Sequence, residues 1–121
     1  MTRASTTGPG SEMSAIGEVQ LRAMAAAIRA EIPGAEVRLF GSRARGEARP
    51  DSDVDLLITA PEAWLAEHDR WSALDRLRWQ LSSPDHGVDL LLLSQSQATE
   101  RLALSSGVVR LAYQEGVRLD G

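Results

Sequence analysis

Apolar residues recur three and four apart between Ser14 and about Ala30, at Ile16, Val19, Ala23, Ala26 or Ala27 and Ile28, and this spacing predicts an amphipathic helix. Pro33-Gly34 ends it and turns the chain. The pattern then shortens. Ala35 to Phe40 reads as a strand running into Gly41-Ser42, Ser42 to about Gly46 as one helical turn, and Arg49-Pro50-Asp51-Ser52 as a turn before a second strand, Asp53 to Ile58. Thr59 with Glu62 has the spacing of a capping box, and Pro61 suits a first helical turn. One long helix is therefore expected to about Leu81, with Trp64, His68, Trp71, Leu74, Leu77 and Leu81 along one face.

Ser82 to Gly87 reads as a loop, and Val88 to Leu93 as a central strand buried on both faces, apolar except for Asp89. Ser94 with Gln97 is a second capping signature, opening a helix to about Ser105. Gly107 interrupts or divides the helical pattern, which resumes to Glu115, and Gly116 suits its C-cap. Val117 to Leu119 is short enough for an edge strand. The sum is an α/β (α+β) fold, a small mixed β-sheet with helices packed on it. Its first two strands should be antiparallel, because their connection is too short for a crossover helix.

Composition narrows the function more than the fold. At 121 residues, 43% hydrophobic and 25% charged, the chain fits one globular domain. Residues 1–12 are small and polar and read as a disordered tail or cloning scar, leaving 13–121 as the domain. No apolar run nears the roughly 20 residues of a membrane span, so a cytoplasmic location is expected. There is no cysteine, which excludes disulfides and thiolate chemistry. All 13 basic residues are arginine, which excludes a phosphate loop built on a Gly-Lys-Ser/Thr lysine. A net charge of −4 argues against general nucleic-acid binding. Positive charge is nonetheless concentrated in one place, at Arg38, Arg43, Arg45 and Arg49.

That concentration surrounds the candidate chemistry. Asp53 and Asp55 share one face of a strand, about 7 Å apart, and repel each other unless cations intervene. Magnesium, which takes carboxylate, water and phosphate oxygens, is the natural partner. Two such ions about 4 Å apart can stabilise both the attacking and the leaving oxygen of a displacement at phosphorus. Asp89, alone in its apolar strand, is the candidate third ligand and the acceptor of a hydroxyl proton, since an unpaired buried carboxylate is costly. Gly41 and Ser42 would bring backbone amides and a hydroxyl against phosphate, and Arg43 or Arg45 could clamp it in bidentate fashion. His68 reads as a core or interface histidine and His86 as a turn residue. The tryptophans at 64, 71 and 79 read as core with an aromatic patch left over.

Gly41-Ser42, a ten-residue spacer and Asp53-Val54-Asp55 resemble the signature of the DNA polymerase beta-like nucleotidyltransferase superfamily. The fuller string from Gly41-Ser42-Arg43-Ala44-Arg45-Gly46 to Ser52-Asp53-Val54-Asp55-Leu56-Leu57, with the later Val88-Asp89-Leu90, resembles its minimal (MNT domain) branch. The resemblance runs from about Ser14 to the C-terminus. It implies a nucleotidyltransferase fold and transfer of a nucleoside monophosphate, usually AMP from ATP, to a hydroxyl with release of pyrophosphate. It also implies two Mg2+ ions, with Asp53, Asp55 and Asp89 as metal ligands and catalytic residues and Gly41 and Ser42 as the triphosphate grip.

Many members of the minimal branch are antitoxins of HEPN-domain toxins, and some adenylylate a tyrosine of the toxin. The resemblance therefore leads to a protein adenylyltransferase acting as a type VII-like antitoxin, with no membrane partner. Two other readings stand beside it. One is a non-catalytic antitoxin that neutralises its partner by occlusion. The other is a small-molecule nucleotidyltransferase whose site is completed by homo-oligomerisation.

Overall fold

A computed structural model describes residues 17–41, 43–46, 53–82, 87–103 and 107–119. In chain order its elements are α1 (Glu18–Glu31), β1 (Glu36–Phe40), β2 (Val54–Ala60), α2 (Glu62–Glu67), α3 (Arg70–Leu81), β3 (Val88–Ser94), α4 (Gln95–Leu102), α5 (Val108–Glu115) and β4 (Val117–Arg118). The sheet order is β3-β2-β1-β4, with β1 antiparallel to β2 and β4 and with β2 parallel to β3. The expected mixed sheet forms, and the short β1–β2 link makes the expected antiparallel pair.

Strand alternation divides the protein into three layers. Val37 and Leu39 of β1, the even-numbered residues of β2, and Leu90 and Leu92 of β3 meet α1, α2 and α3 in the larger core. Leu57 and Leu93 point the other way, into a smaller core with Ala98 of α4 and Val109 and Ala112 of α5. Phe40, Leu91 and Tyr113 pack against that second cluster. Parity along the strands places Arg38, Asp55 and Asp89 on this same α4/α5 side of the sheet.

Several sequence expectations need correction. The strand β3 lies at an edge of the sheet. Its leucine run reflects helices on both faces, and Asp89 near its start is exposed, so no buried unpaired carboxylate exists there. The single long helix is two, broken at His68-Asp69. Asp69 accepts hydrogen bonds from Trp71 N at 3.2 Å and Ser72 Oγ at 2.7 Å, which caps α3 afresh. Those two hydrogen bonds hold the Asp69 carboxyl below the usual carboxylate range.

Consequently only Trp64 of the three tryptophans is in the core. Trp71 is 67% and Trp79 88% exposed. His68 is exposed as well, stacked on Trp64 with Nδ1 2.8 Å from the Trp64 carbonyl.

The capping pair proposed for Thr59 and Glu62 does not form. Thr59 belongs to β2, and Glu62 instead accepts from Ser96 N and Ser96 Oγ, both at 2.7 Å, tying α2 to the start of α4. On α1 the inward face is Met24, Ala25 and Ile28, while Val19 is 83% exposed. The Ser94-Gln97 capping box and the division of the last helices at Gly107 are as expected. Ile16, the Arg49 to Ser52 turn, the loop containing His86, and residues 1–12 lie outside the described residues.

Candidate functional site

The reversal of direction between β1 and β2 creates the site. It brings Phe40, the last residue of β1, opposite Asp55 near the start of β2. On the other side of β2 the parallel register places Asp55 directly opposite Asp89. In open parallel sheets ligands gather at the carboxyl ends of strands. Here the carboxylates gather at the amino ends of β2 and β3, and the carboxyl end of antiparallel β1 delivers the Gly41 turn to them.

Gly41 has φ +78°, a left-handed conformation that strains any other L-residue. A β-carbon there would also overlap Asp55 Oδ2. The chain at this point lies directly against the Asp55 carboxylate. Beyond it Ala44 N and Arg45 N donate to Gly41 O at 3.1 and 3.2 Å, and Gly46 N donates to Arg43 O at 3.3 Å. This is the single helical turn read from the sequence. Ser42, the other half of the predicted grip, lies outside the described residues.

Electrostatics link Asp55 to Arg43 and Arg45. Asp55 is half-buried, and desolvation, followed by the charges of Asp89 and Asp53, raises its carboxyl above the usual range; Arg43 and Arg45 oppose that rise. Arg45 also approaches Glu115 of α5, at 3.6 Å. Arg38 is committed elsewhere, to Glu36 at 3.0 Å and to the Tyr113 ring, whose centroid lies 3.9 Å from the guanidinium carbon. Tyr113, which the sequence offers only as a site of self-modification, and Glu115, within the Gln114-Glu115-Gly116-Val117 ending that resembles the minimal branch, are brought to these arginines by α5.

Asp53 and Asp89 are exposed, and Asp55 is the most buried of the three. Among the described residues no three carboxylate or imidazole groups are already gathered around one metal-sized position. The donor set nevertheless fits a hard divalent cation: it is all carboxylate oxygen, and its mutual repulsion raises Asp55. Ligation by all three requires a closer approach of these side chains, which the exposed rotamers of Asp89 permit.

Comparison with known proteins agrees with this fold. The family described as "Nucleotidyltransferase domain" matches residues 21–97, which span α1 to the start of α4 and include all three carboxylates. No match was found among curated proteins. A Sulfolobus solfataricus protein assigned as a nucleotidyltransferase has a similar structure, with TM-score 0.57 and 18% identity over 93% of this chain and 87% of that one. So does a chain from a toxin-antitoxin crystal structure with AMP-PNP, with TM-score 0.51 and 23% identity over 88% of this chain and 74% of that one. The likeness to both is one of fold. With its motif, sheet order and matched span in agreement, the chain belongs to the nucleotidyltransferase domain family.

Proposed function

We propose that the protein transfers a nucleoside monophosphate, AMP from ATP, to a hydroxyl of a partner protein, and that the partner is a toxin which the modification silences. The observation that carries this reading is the placement of Asp55 between the Gly41 turn and Asp89, with Arg43 and Arg45 beside it. Asp53, Asp55 and Asp89 would hold Mg2+, which when bound neutralises the carboxylates and stabilises charge on phosphate oxygens. The turn after Gly41, with Ser42 and one or both of Arg43 and Arg45, binds the triphosphate. Asp89, exposed at the edge of the sheet, accepts the proton of the incoming hydroxyl. The acceptor oxygen bonds to the α-phosphorus as the bond to the bridging oxygen breaks, and pyrophosphate leaves.

Support for a protein acceptor comes from the exposure of Asp53 and Asp89 and from the similar chain solved in a toxin-antitoxin structure with AMP-PNP. The motif's likeness to the minimal branch supports a HEPN toxin and a tyrosine hydroxyl within it. Among the described residues no helix is long and apolar enough to cross a membrane. The test is incubation with Mg2+ and each NTP, with and without the co-encoded neighbouring protein, followed by intact-mass analysis. One added adenylyl group on the partner is expected, and none with the D53N/D55N protein. Full transfer by that variant would overturn the proposal.

A binding-only antitoxin is the second reading. It is favoured by Trp71 and Trp79, two exposed indoles on α3, on the side of the sheet away from the carboxylates. D53N/D55N protein that neutralises the partner with no mass added to it would establish this reading instead.

A further inference from the structure

The structure assigns a positioning role to Gly87: its missing side chain is what lets the Asp53 carboxylate lie over the start of β3. This rests on the reading of Asp53 as a metal ligand for its consequence, though not for its geometry.

Gly87 stands one residue before the Val54↔Val88 pair of the parallel β2–β3 ladder. It is therefore the cross-strand neighbour of Asp53, just as Asp89 is the neighbour of Asp55. Val54 N donates to Gly87 O at 3.0 Å, which fixes this step of the register. A β-carbon on residue 87 would lie 2.9 Å from Asp53 Oδ1, 3.5 Å from its Cγ and 3.8 Å from Oδ2. The Asp53 carboxylate thus occupies the space that a side chain at position 87 would claim. Each member of the Asp-x-Asp pair rests against a glycine from a different flank, Asp55 on Gly41 from β1 and Asp53 on Gly87 from β3.

The two glycines differ in what they do. Gly41 has a left-handed φ, whereas Gly87 is not among the positive-φ glycines. The backbone at 87 accepts alanine, and among the described residues the atoms nearest an added methyl belong to the exposed Asp53 side chain, whose far end can move. Position 87 therefore controls where one carboxylate points, with little influence on the fold. It acts through Asp53 and touches no reacting atom.

The test is G87A, read in two independent ways. First, three-bond couplings from Asp53 Cγ to its backbone N and carbonyl carbon report χ1 in the metal-free protein. One dominant rotamer is expected in the wild type and a different or averaged one in G87A, with the melting temperature within a few degrees. Unchanged couplings would overturn the proposal whatever the protein does. Second, Mn2+ affinity is measured calorimetrically without nucleotide. A roughly tenfold loss is expected in G87A, in the range typical when a residue that orients a metal ligand is altered. If D53N weakens Mn2+ binding while G87A matches the wild type, Gly87 does not position the ligand and the proposal fails, with the metal reading intact. If the wild type binds no Mn2+, the metal reading fails, and the couplings still decide the placement of Asp53.

Discussion

Replacing Gly41 with alanine should impose two separable costs, and Gly46 offers a way to measure them apart. Both glycines are left-handed, at φ +78° and +75°. Holding alanine there costs about 1–2 kcal/mol, offset by roughly 0.4–1 kcal/mol because alanine also restricts the unfolded chain. A β-carbon at 46 has no neighbour within 4 Å among the described residues, so G46A should lose about 1 kcal/mol. A β-carbon at 41 runs into Asp55 Oδ2. Forcing that side chain off its rotamer adds about 0.5–1.5 kcal/mol, bringing G41A to about 2 kcal/mol. For a domain of this size that corresponds to melting temperatures lowered by roughly 5 °C and 10 °C respectively.

Denaturant titration of the wild type, G41A, G46A, D55A and G41A/D55A measures the difference directly. In the D55A background the penalty at 41 should shrink to that at 46, a coupling of about 1 kcal/mol. Equal penalties for G41A and G46A would refute the contact. So would a penalty at 41 that survives the loss of Asp55.

Two further predictions concern stability without ligand. The raised carboxyl of Asp55 means that its stabilising contribution is complete below the unfolded value of 3.8 and is lost as pH rises through the higher folded value. In EDTA the stability difference D55N minus wild type should therefore grow with pH above about the ordinary carboxylate value. Glu62 and Asp69, lowered in the fold, carry the opposite sign but cancel in that difference; a flat difference curve would contradict the assignment. Thr59 is 3% exposed, and its hydroxyl finds no hydrogen-bond partner among the described residues. T59V should consequently gain about 1 kcal/mol in chemical denaturation, and a loss of stability would show the hydroxyl to be satisfied.

The motif was legible because its spacing is local: Gly41, Asp53 and Asp55 flank one connection between two neighbouring strands. What could not be read was lateral. Which residue faces Asp55 depends on the parallel register of β3, and Gly87 matters only because that register puts it beside Asp53. Periodicity misled where two signals shared one pattern. The apolar face from Trp64 to Leu81 continues across two helices, and the Asp69-x-x-Ser72 cap that separates them was the one local clue. The Val88 to Leu93 run resembled a central strand because helices cover both faces of an edge strand, a fact of layering rather than of composition. Arg38 counted as part of a basic cluster in sequence, yet Glu36 and Tyr113 hold it within the fold.

The tryptophans give the protein an optical asymmetry. Trp64 is buried and stacked on His68, with ring centroids 4.4 Å apart and planes within 8°, an arrangement that favours quenching. Trp71 and Trp79 are largely in water and so dominate the emission, already red-shifted in the native state. Intrinsic fluorescence is thus a weak gauge of unfolding for this chain. It is a sensitive gauge of anything that covers the outer face of α3, and such covering would register as a blue shift without any label.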